Sequence, residues 1–167
     1  MLHLIFPLLL LFPVLASAQN EVPQTYPKIA GYVGILHPIV TFSRAGSEPN
    51  FKNYYVVGMP VGINIWKSAQ IGFSAEFVPI IRAERGTSKM SNFLFHPGVL
   101  VALGKGWTLA GRAAFETSGR YGLTPVINKT INKGKNSSMF VAVPLPLRFG
   151  SDKPTSFGVG FQFGIAF

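Results

Sequence analysis

The chain has 167 residues and no cysteine, and 48 % of its side chains are hydrophobic against only 13 % charged, which excludes a disulfide scaffold or a Cys-based zinc or redox site and disfavours ordinary water-facing surface. The formal charge is +9; on a soluble protein this would point to nucleic acid, but so low a total charge makes that a poor reading and no nucleic-acid partner is expected. Eighteen Gly, 13 Pro and 15 Phe fit many short strands and turns, not a helical bundle.

Residues Met1 to Leu15 carry no basic or acidic side chain except His3, and the small residues Ala16, Ser17 and Ala18 follow. This apolar run before a small-residue cleavage pattern reads as a signal peptide over residues 1–18, although no Lys or Arg precedes it and Pro7 and Pro13 interrupt it. Residues 19–27 are then a polar periplasmic lead-in, and residues 28–167 the folded domain. No later segment approaches 18 apolar residues without Gly, Pro or charge, so a membrane-embedded mature chain must span as a closed barrel.

Strand-like patterns follow one another from Ile29 onward. Ile29 to Phe42 is apolar on both faces. Tyr55 to Ile65 alternates cleanly, with Tyr55, Val57, Met59, Val61, Ile63 and Ile65 on one face and Val56, Gly58, Pro60, Gly62 and Asn64 on the other, a period of two. Ile71 to Arg82, Phe93 to Leu103, Trp107 to Glu116 and Met139 to Phe149 are weaker copies, and Tyr121 to Asn128 is the least regular. The end of the chain repeats the clean pattern, with Phe157, Val159, Phe161, Phe163, Ile165 and Phe167 opposite Gly158, Gly160, Gln162, Gly164 and Ala166. Odd-numbered residues carry the bulk throughout. Strands of about eleven residues suit tilted segments crossing a hydrocarbon core, and the fold expected is an all-β, antiparallel up-and-down transmembrane barrel of about eight strands. Arg44 to Lys52 and Glu84 to Ser91 read as long polar loops, Lys67 to Gln70 and Gly104 to Gly106 as tight turns. That alternation falters at Thr117 to Arg120, short where a long loop is due, and at Lys129 to Ser138, long where a turn is due. Merging residues 117–138 into one loop would leave seven strands and put the chain ends on opposite sides.

A soluble lipocalin-type barrel would also alternate, but its exterior must be polar. Here the minority face is Gly, Ala, Pro and small polar residues, a poor exterior and a suitable crowded interior, so the bulky face is expected to meet lipid. Glu76, Arg82, His96, Arg112, Glu116 and Arg148 all fall on the even, inward parity, as they should where a basic residue facing lipid costs roughly 2–4 kcal/mol. Glu76 and Arg112 each lie about six residues from a tight turn, which at about 3.3 Å per residue gives similar depth. They are expected to face each other across the lumen, with Arg82, Glu116 and Arg148 forming a second cluster nearer the outer mouth. Trp66 and Trp107 sit beside the two tight turns, where amphipathic aromatics suit an interface, although Trp66 falls on the inward parity.

With these features the sequence resembles the small eight-stranded outer-membrane barrels of Gram-negative bacteria, the OmpA/OmpX type of membrane domain, over roughly residues 28–167. The C-terminal strand ending in Phe163, Ile165 and Phe167 looks like the assembly signal of that class. The resemblance implies export, periplasmic chaperones, insertion by the barrel-assembly machinery, and outer-membrane lipid and lipopolysaccharide as surroundings. It does not fix a function.

Some such barrels modify lipid A, but His96 is followed by Pro97-Gly98 and His37 by Pro38-Ile39, unlike the His-x-Ser-Asn arrangement of the lipid A deacylases, and no serine follows closely enough to act as nucleophile. Three scattered histidines give no metal-ligand spacing, and the glycines alternate within strands instead of forming a phosphate loop. The basic run Lys129, Lys133, Lys135 has no aromatic to stack on bases, and a periplasmic position keeps it from lipopolysaccharide phosphates. The expectation is a monomeric outer-membrane barrel, not an enzyme and without cofactor, in a structural or porin-like role with a small pore gated by inner ion pairs. The alternatives are a surface interaction protein acting through its outer loops, a lipid A-modifying enzyme, and a secreted soluble ligand-binding barrel.

Overall fold

A computed structural model describes residues 25–150 and 153–167; the expected signal peptide and the lead-in up to residue 24 lie outside the described residues. All regular structure there is β: β1 (Lys28–Ser43), β2 (Gly46–Pro49), β3 (Tyr55–Gly58), β4 (Val61–Trp66), β5 (Ile71–Glu84), β6 (Thr87–Gly104), β7 (Trp107–Glu116), β8 (Tyr121–Lys133), β9 (Ser138–Pro144), β10 (Leu147–Phe149) and β11 (Ser156–Ala166). Every pairing is antiparallel, and β11 pairs back onto β1, from Tyr32 opposite Ala166 to Ser43 opposite Ser156, closing the sheet into a ring. The ring has eight staves: β2, β3 and β4 form the stave between β1 and β5, and β9 and β10 form the stave between β8 and β11. With an even number of staves both ends of the ring meet at one rim, where Gly31 and Phe167 exchange backbone hydrogen bonds of 2.9 Å. We call this the terminal rim and the opposite one the distal rim.

The two broken staves break at proline, which offers no N–H to the ladder. Tyr55 to Ile65, expected as one strand, is interrupted at Met59-Pro60, and Met139 to Phe149 at Leu145-Pro146. The staves nonetheless continue, because Met59 N–H donates to Pro79 O (3.0 Å), Gly34 N–H to Pro60 O (2.9 Å) and Leu145 N–H to Pro125 O (2.8 Å).

Loop lengths are where the sequence reading needs correction. Residues 84–91 are not a long polar loop: Arg85 and Gly86 both take positive φ, of 50° and 76°, as a two-residue type I′ hairpin demands, and Glu84 pairs directly with Thr87. Lys105 and Gly106 repeat this at the terminal rim, with φ of 49° and 78°. Within residues 44–52, β2 folds back on β1, Ser43 pairing with Gly46. The Lys129 to Ser138 segment shrinks to a turn over residues 134–137, because β8 continues to Lys133. Thr117 to Arg120 is a tight distal turn, closed by Glu116 N–H donating to Arg120 O at 2.8 Å.

The excursion between β2 and β3 is held by Asn50, which is buried, accepts from Val56 N–H at 2.7 Å and donates to Val56 O at 2.8 Å. Asn50→Ala should leave both backbone groups of Val56 without these partners and lower the unfolding free energy by about 1–3 kcal/mol. Urea unfolding of the variant in detergent reads this, and an unchanged midpoint would mean that water replaces the side chain.

Alternation decides the faces. Along β5, Ile71, Phe73, Ala75 and Phe77 are exposed while Gly72, Ser74, Glu76 and Val78 are buried. The same phase runs through β4, β7, β8 and β11. A girdle of Ile63, Phe73, Val99, Leu109, Leu123, Ile127, Phe161 and Phe163 thus stands exposed around the ring, a continuous apolar exterior of a kind water-soluble domains do not present. The chain is a transmembrane-type β-barrel, and its lumen is filled by side chains.

Candidate functional site

Glu76 on β5 pairs across the ladder with His96 on β6, and Gly98, the next inward position on β6, lies opposite Arg112 on β7. Even-numbered residues point inward, so the three functional side chains project to one level of the lumen. Arg112 Nη1 donates to Glu76 Oε1 at 3.0 Å. The Tyr32 hydroxyl donates to Glu76 Oε2 at 2.9 Å and accepts from Arg112 Nη2 at 3.1 Å, and Ser74 Oγ accepts from the same Nη2 at 3.3 Å. Glu76 is 2 % exposed and Arg112 7 %. A carboxylate this deeply buried is tolerable because each oxygen is paired with a donor and its charge with a guanidinium. Room for this arrangement comes from missing side chains: a Cβ on Gly62 would collide with the Tyr32 phenol, and one on Gly98 would come within 2.6 Å of Arg112 Cγ.

His96 links this cluster to a second. Its Nδ1 lies 3.0 Å from Glu76 Oε1 and its Nε2 3.1 Å from Arg148 Nη2. A guanidinium can only donate, so Nε2 must be the acceptor. The imidazole is therefore neutral, with its proton on Nδ1 and directed at Glu76. Arg148 Nε donates to Glu116 Oε1 at 2.7 Å, and Nη1 donates to Thr124 Oγ1 at 2.9 Å. Glu116 Oε2 accepts from Asn92 Nδ2 at 2.6 Å and from Ser118 Oγ at 2.9 Å. Two carboxylates and two guanidiniums are bridged by a neutral imidazole, so the charges of the network cancel.

Glu76, His96, Arg112, Glu116 and Arg148 thus form one connected plug. Arg82 does not join it. Glu116 stands level with Val78 through Leu94, and Arg82 lies four residues further along β5, about 13 Å at the rise of a strand. At that height it pairs with Glu84 at 3.0 Å, its guanidinium lies 3.8 Å from the centre of the Tyr54 ring, and its side chain is 36 % exposed. Beside it, partial burial and the Glu48 carboxylate raise the pKa of the Tyr54 phenol above its ordinary value.

Phe163, Ile165 and Phe167 stand exposed on the outer face of the last stave, with Phe163 opposite Ile35 and Ile165 opposite Val33. His37 lies on the outer face in reach of the Tyr55 hydroxyl, at 3.0 Å. Trp66 packs inward against Leu100, Ala110, Val126 and Ala142, whereas Trp107 is exposed on the outside with Lys129 Nζ 4.9 Å from its ring centre. Among the described residues, no group of three His, Asp or Glu side chains could hold a metal ion.

The plug separates two cavities. One, of about 270 Å³, opens at the terminal rim and is lined by Asn64, Thr108, Asn128, Thr130 and Ser138 among others. The other, of about 210 Å³, lies on the distal side with a largely apolar wall that includes Leu36, Val56, Ile80, Leu94 and Pro144. Arg112, Val126 and Gln162 line both. Tyr32, Ser74, Asn92 and Thr124 belong to the plug although nothing in the sequence sets them apart: Tyr32, for example, shares its parity with Leu36, Pro38 and Val40, which only fill space.

No family model matches the chain, and no curated protein matches it. Two solved structures are similar in fold. One is a barrel from the de novo design of transmembrane β-barrels, 12 % identical, with 86 % of this chain and 97 % of that chain covered and a TM-score of 0.46. The other is the toluene transporter TbuX of Ralstonia pickettii, 19 % identical, with 85 % of this chain covered and a TM-score of 0.36; the match takes in 44 % of that transporter. The membrane-barrel architecture itself rests on the closed ring of strands and its apolar girdle.

Proposed function

We propose that the protein is a monomeric integral barrel of the Gram-negative outer membrane, with a porin-like role as a narrow pore that its own polar plug holds shut. The observation that carries this reading is the connected plug of paired side chains running from Glu76 and Arg112 through His96 to Arg148 and Glu116, with one cavity on its terminal side and a second that its distal members line. Moving those few side chains would join the cavities without unzipping a strand. The terminal rim then faces the periplasm, and the last strand, with Phe163, Ile165 and Phe167, is what the assembly machinery reads after chaperone delivery. His96 is committed to Glu76 and Arg148 at both ring nitrogens, which favours a non-enzymatic, cofactor-free lumen. The two-residue turn at Arg85-Gly86 leaves little loop for an adhesive surface, so the pore is preferred to surface binding.

Planar-bilayer recording tests this. The wild-type protein should be closed most of the time, and the double variant Glu76→Ala/Arg112→Ala, which removes the pair without stranding a charge, should show long-lived openings. A double variant that inserts, runs as a folded heat-modifiable band and stays silent would sink the pore reading and leave a structural role.

A further inference from the structure

We propose that the cavity at the terminal rim is a binding site for a small hydrophilic anion, a phosphorylated or carboxylated molecule carrying hydroxyl groups. The cavity holds about 270 Å³, room for a ligand about the size of a sugar phosphate. The charged residues in its lining are Lys28, Lys133 and Arg112, and no carboxylate lines it. The distal cavity is different, since the carboxylates Glu76 and Glu116 stand among its three arginines, Arg112, Arg120 and Arg148.

The rim reinforces this sign. Lys67, Lys105 and Lys135 occupy the three terminal turns, and Lys129 lies beside Trp107 with its Nζ donating to Lys105 O. The described side-chain carboxylates, Glu48, Glu76, Glu84 and Glu116, all lie in the plug or towards the distal rim. A low-dielectric wall around a mouth of one charge sign concentrates counter-ions.

The wall supplies the remaining contacts. Thr108, Thr130 and Ser138 offer hydroxyls, and Asn64, Asn128 and Gln162 offer amides. Arg112 Nε and Asn64 Oδ1 are buried and have no hydrogen-bond partner, and both residues line this cavity. Buried polar atoms are ordinarily paired, so a donor and an acceptor stand in reserve at the closed end of a cationic pocket. An anionic head held between Lys28 and Lys133, with hydroxyls against the amide and threonine wall, uses these groups through charge-assisted hydrogen bonds.

Titration calorimetry of the folded protein in uncharged detergent at low ionic strength provides the test, with glucose 6-phosphate, inorganic phosphate and glucose as probes. Glucose 6-phosphate should bind saturably, inorganic phosphate more weakly, and glucose without measurable heat. Lys28→Gln/Lys133→Gln should weaken glucose 6-phosphate by about tenfold or more, whereas Lys67→Gln, at a turn tip outside the cavity, should stay within about twofold. No saturable binding of glucose 6-phosphate, or equal binding by the Lys28/Lys133 variant, would overturn the proposal. No voltage or pore is involved, so a protein that binds yet never conducts refutes the pore reading alone, and one that conducts without binding refutes this one alone.

Discussion

Arg112→Met is expected to lower the unfolding free energy by about 3–5 kcal/mol, because it leaves the buried Glu76 carboxylate without the guanidinium that compensates its charge. Glu76 is 2 % exposed, and Arg112 reaches its Oε1 while also donating to the Tyr32 hydroxyl and Ser74. Adding Glu76→Gln should restore most of the loss, since a neutral amide can still meet Tyr32 and His96 and no uncompensated charge remains. Urea unfolding in phospholipid vesicles, followed by Trp66 and Trp107 fluorescence, measures both. A single-variant loss below about 1 kcal/mol, the size of an exposed ion pair, would mean that the pair is solvated and that the lumen is open at this level.

The second large effect concerns the outer face. Val99 stands exposed on the girdle, opposite Phe73 on one side and Gly111 at the middle of β7 on the other, four residues or about 13 Å along β6 from Leu103, which lies at the terminal rim beside the Gly104 to Gly106 turn. If the girdle meets lipid, Val99→Arg should cost roughly 2–4 kcal/mol in vesicles and Leu103→Arg about 0–1 kcal/mol, following the depth of the hydrocarbon. The same pair in a soluble barrel would differ little, because both side chains would reach water. Equal, small effects at the two positions would therefore overturn the membrane reading, and with it the assignment of faces.

All eight staves were legible in the sequence, and so were the faces. Tyr55 to Ile65 and Phe157 to Phe167 alternate because the pleat sends successive side chains to opposite sides, and charges keep to one parity because lipid penalises them on the other. The two staves that break at Pro60 and Pro146 read in the sequence as unbroken segments, and the breaks belong to the structure. Turns were less legible. Residues 84–91 look polar enough for a loop, yet Arg85-Gly86 can adopt the two positive φ values of a tight hairpin, and the flanking polar residues then pair as strand.

The candidate site was legible only in part. That Glu76, His96, Arg112, Glu116 and Arg148 point inward follows from parity, and depth measured from the turns brought Glu76 and Arg112 together. The same counting could not separate Arg82 from Glu116 and Arg148, because heights on different staves depend on how each strand is staggered against the next. Tyr32 shows the other side of that limit: it lies 44 residues from Glu76 in the chain and donates to it across the lumen.

By itself, then, the sequence determined the inward and outward faces and the apolar girdle, since these depend on a local period of two and on the solvent each face can accept, while the choice of eight strands over seven around residues 117–138 needed the closed ring. The tertiary structure decided which inward groups meet, where the lumen is closed and where cavities of opposite character remain. Those outcomes depend on stagger and closure of the whole ring, and on glycines such as Gly62 and Gly98 whose missing side chains matter only once Tyr32 and Arg112 have arrived opposite them.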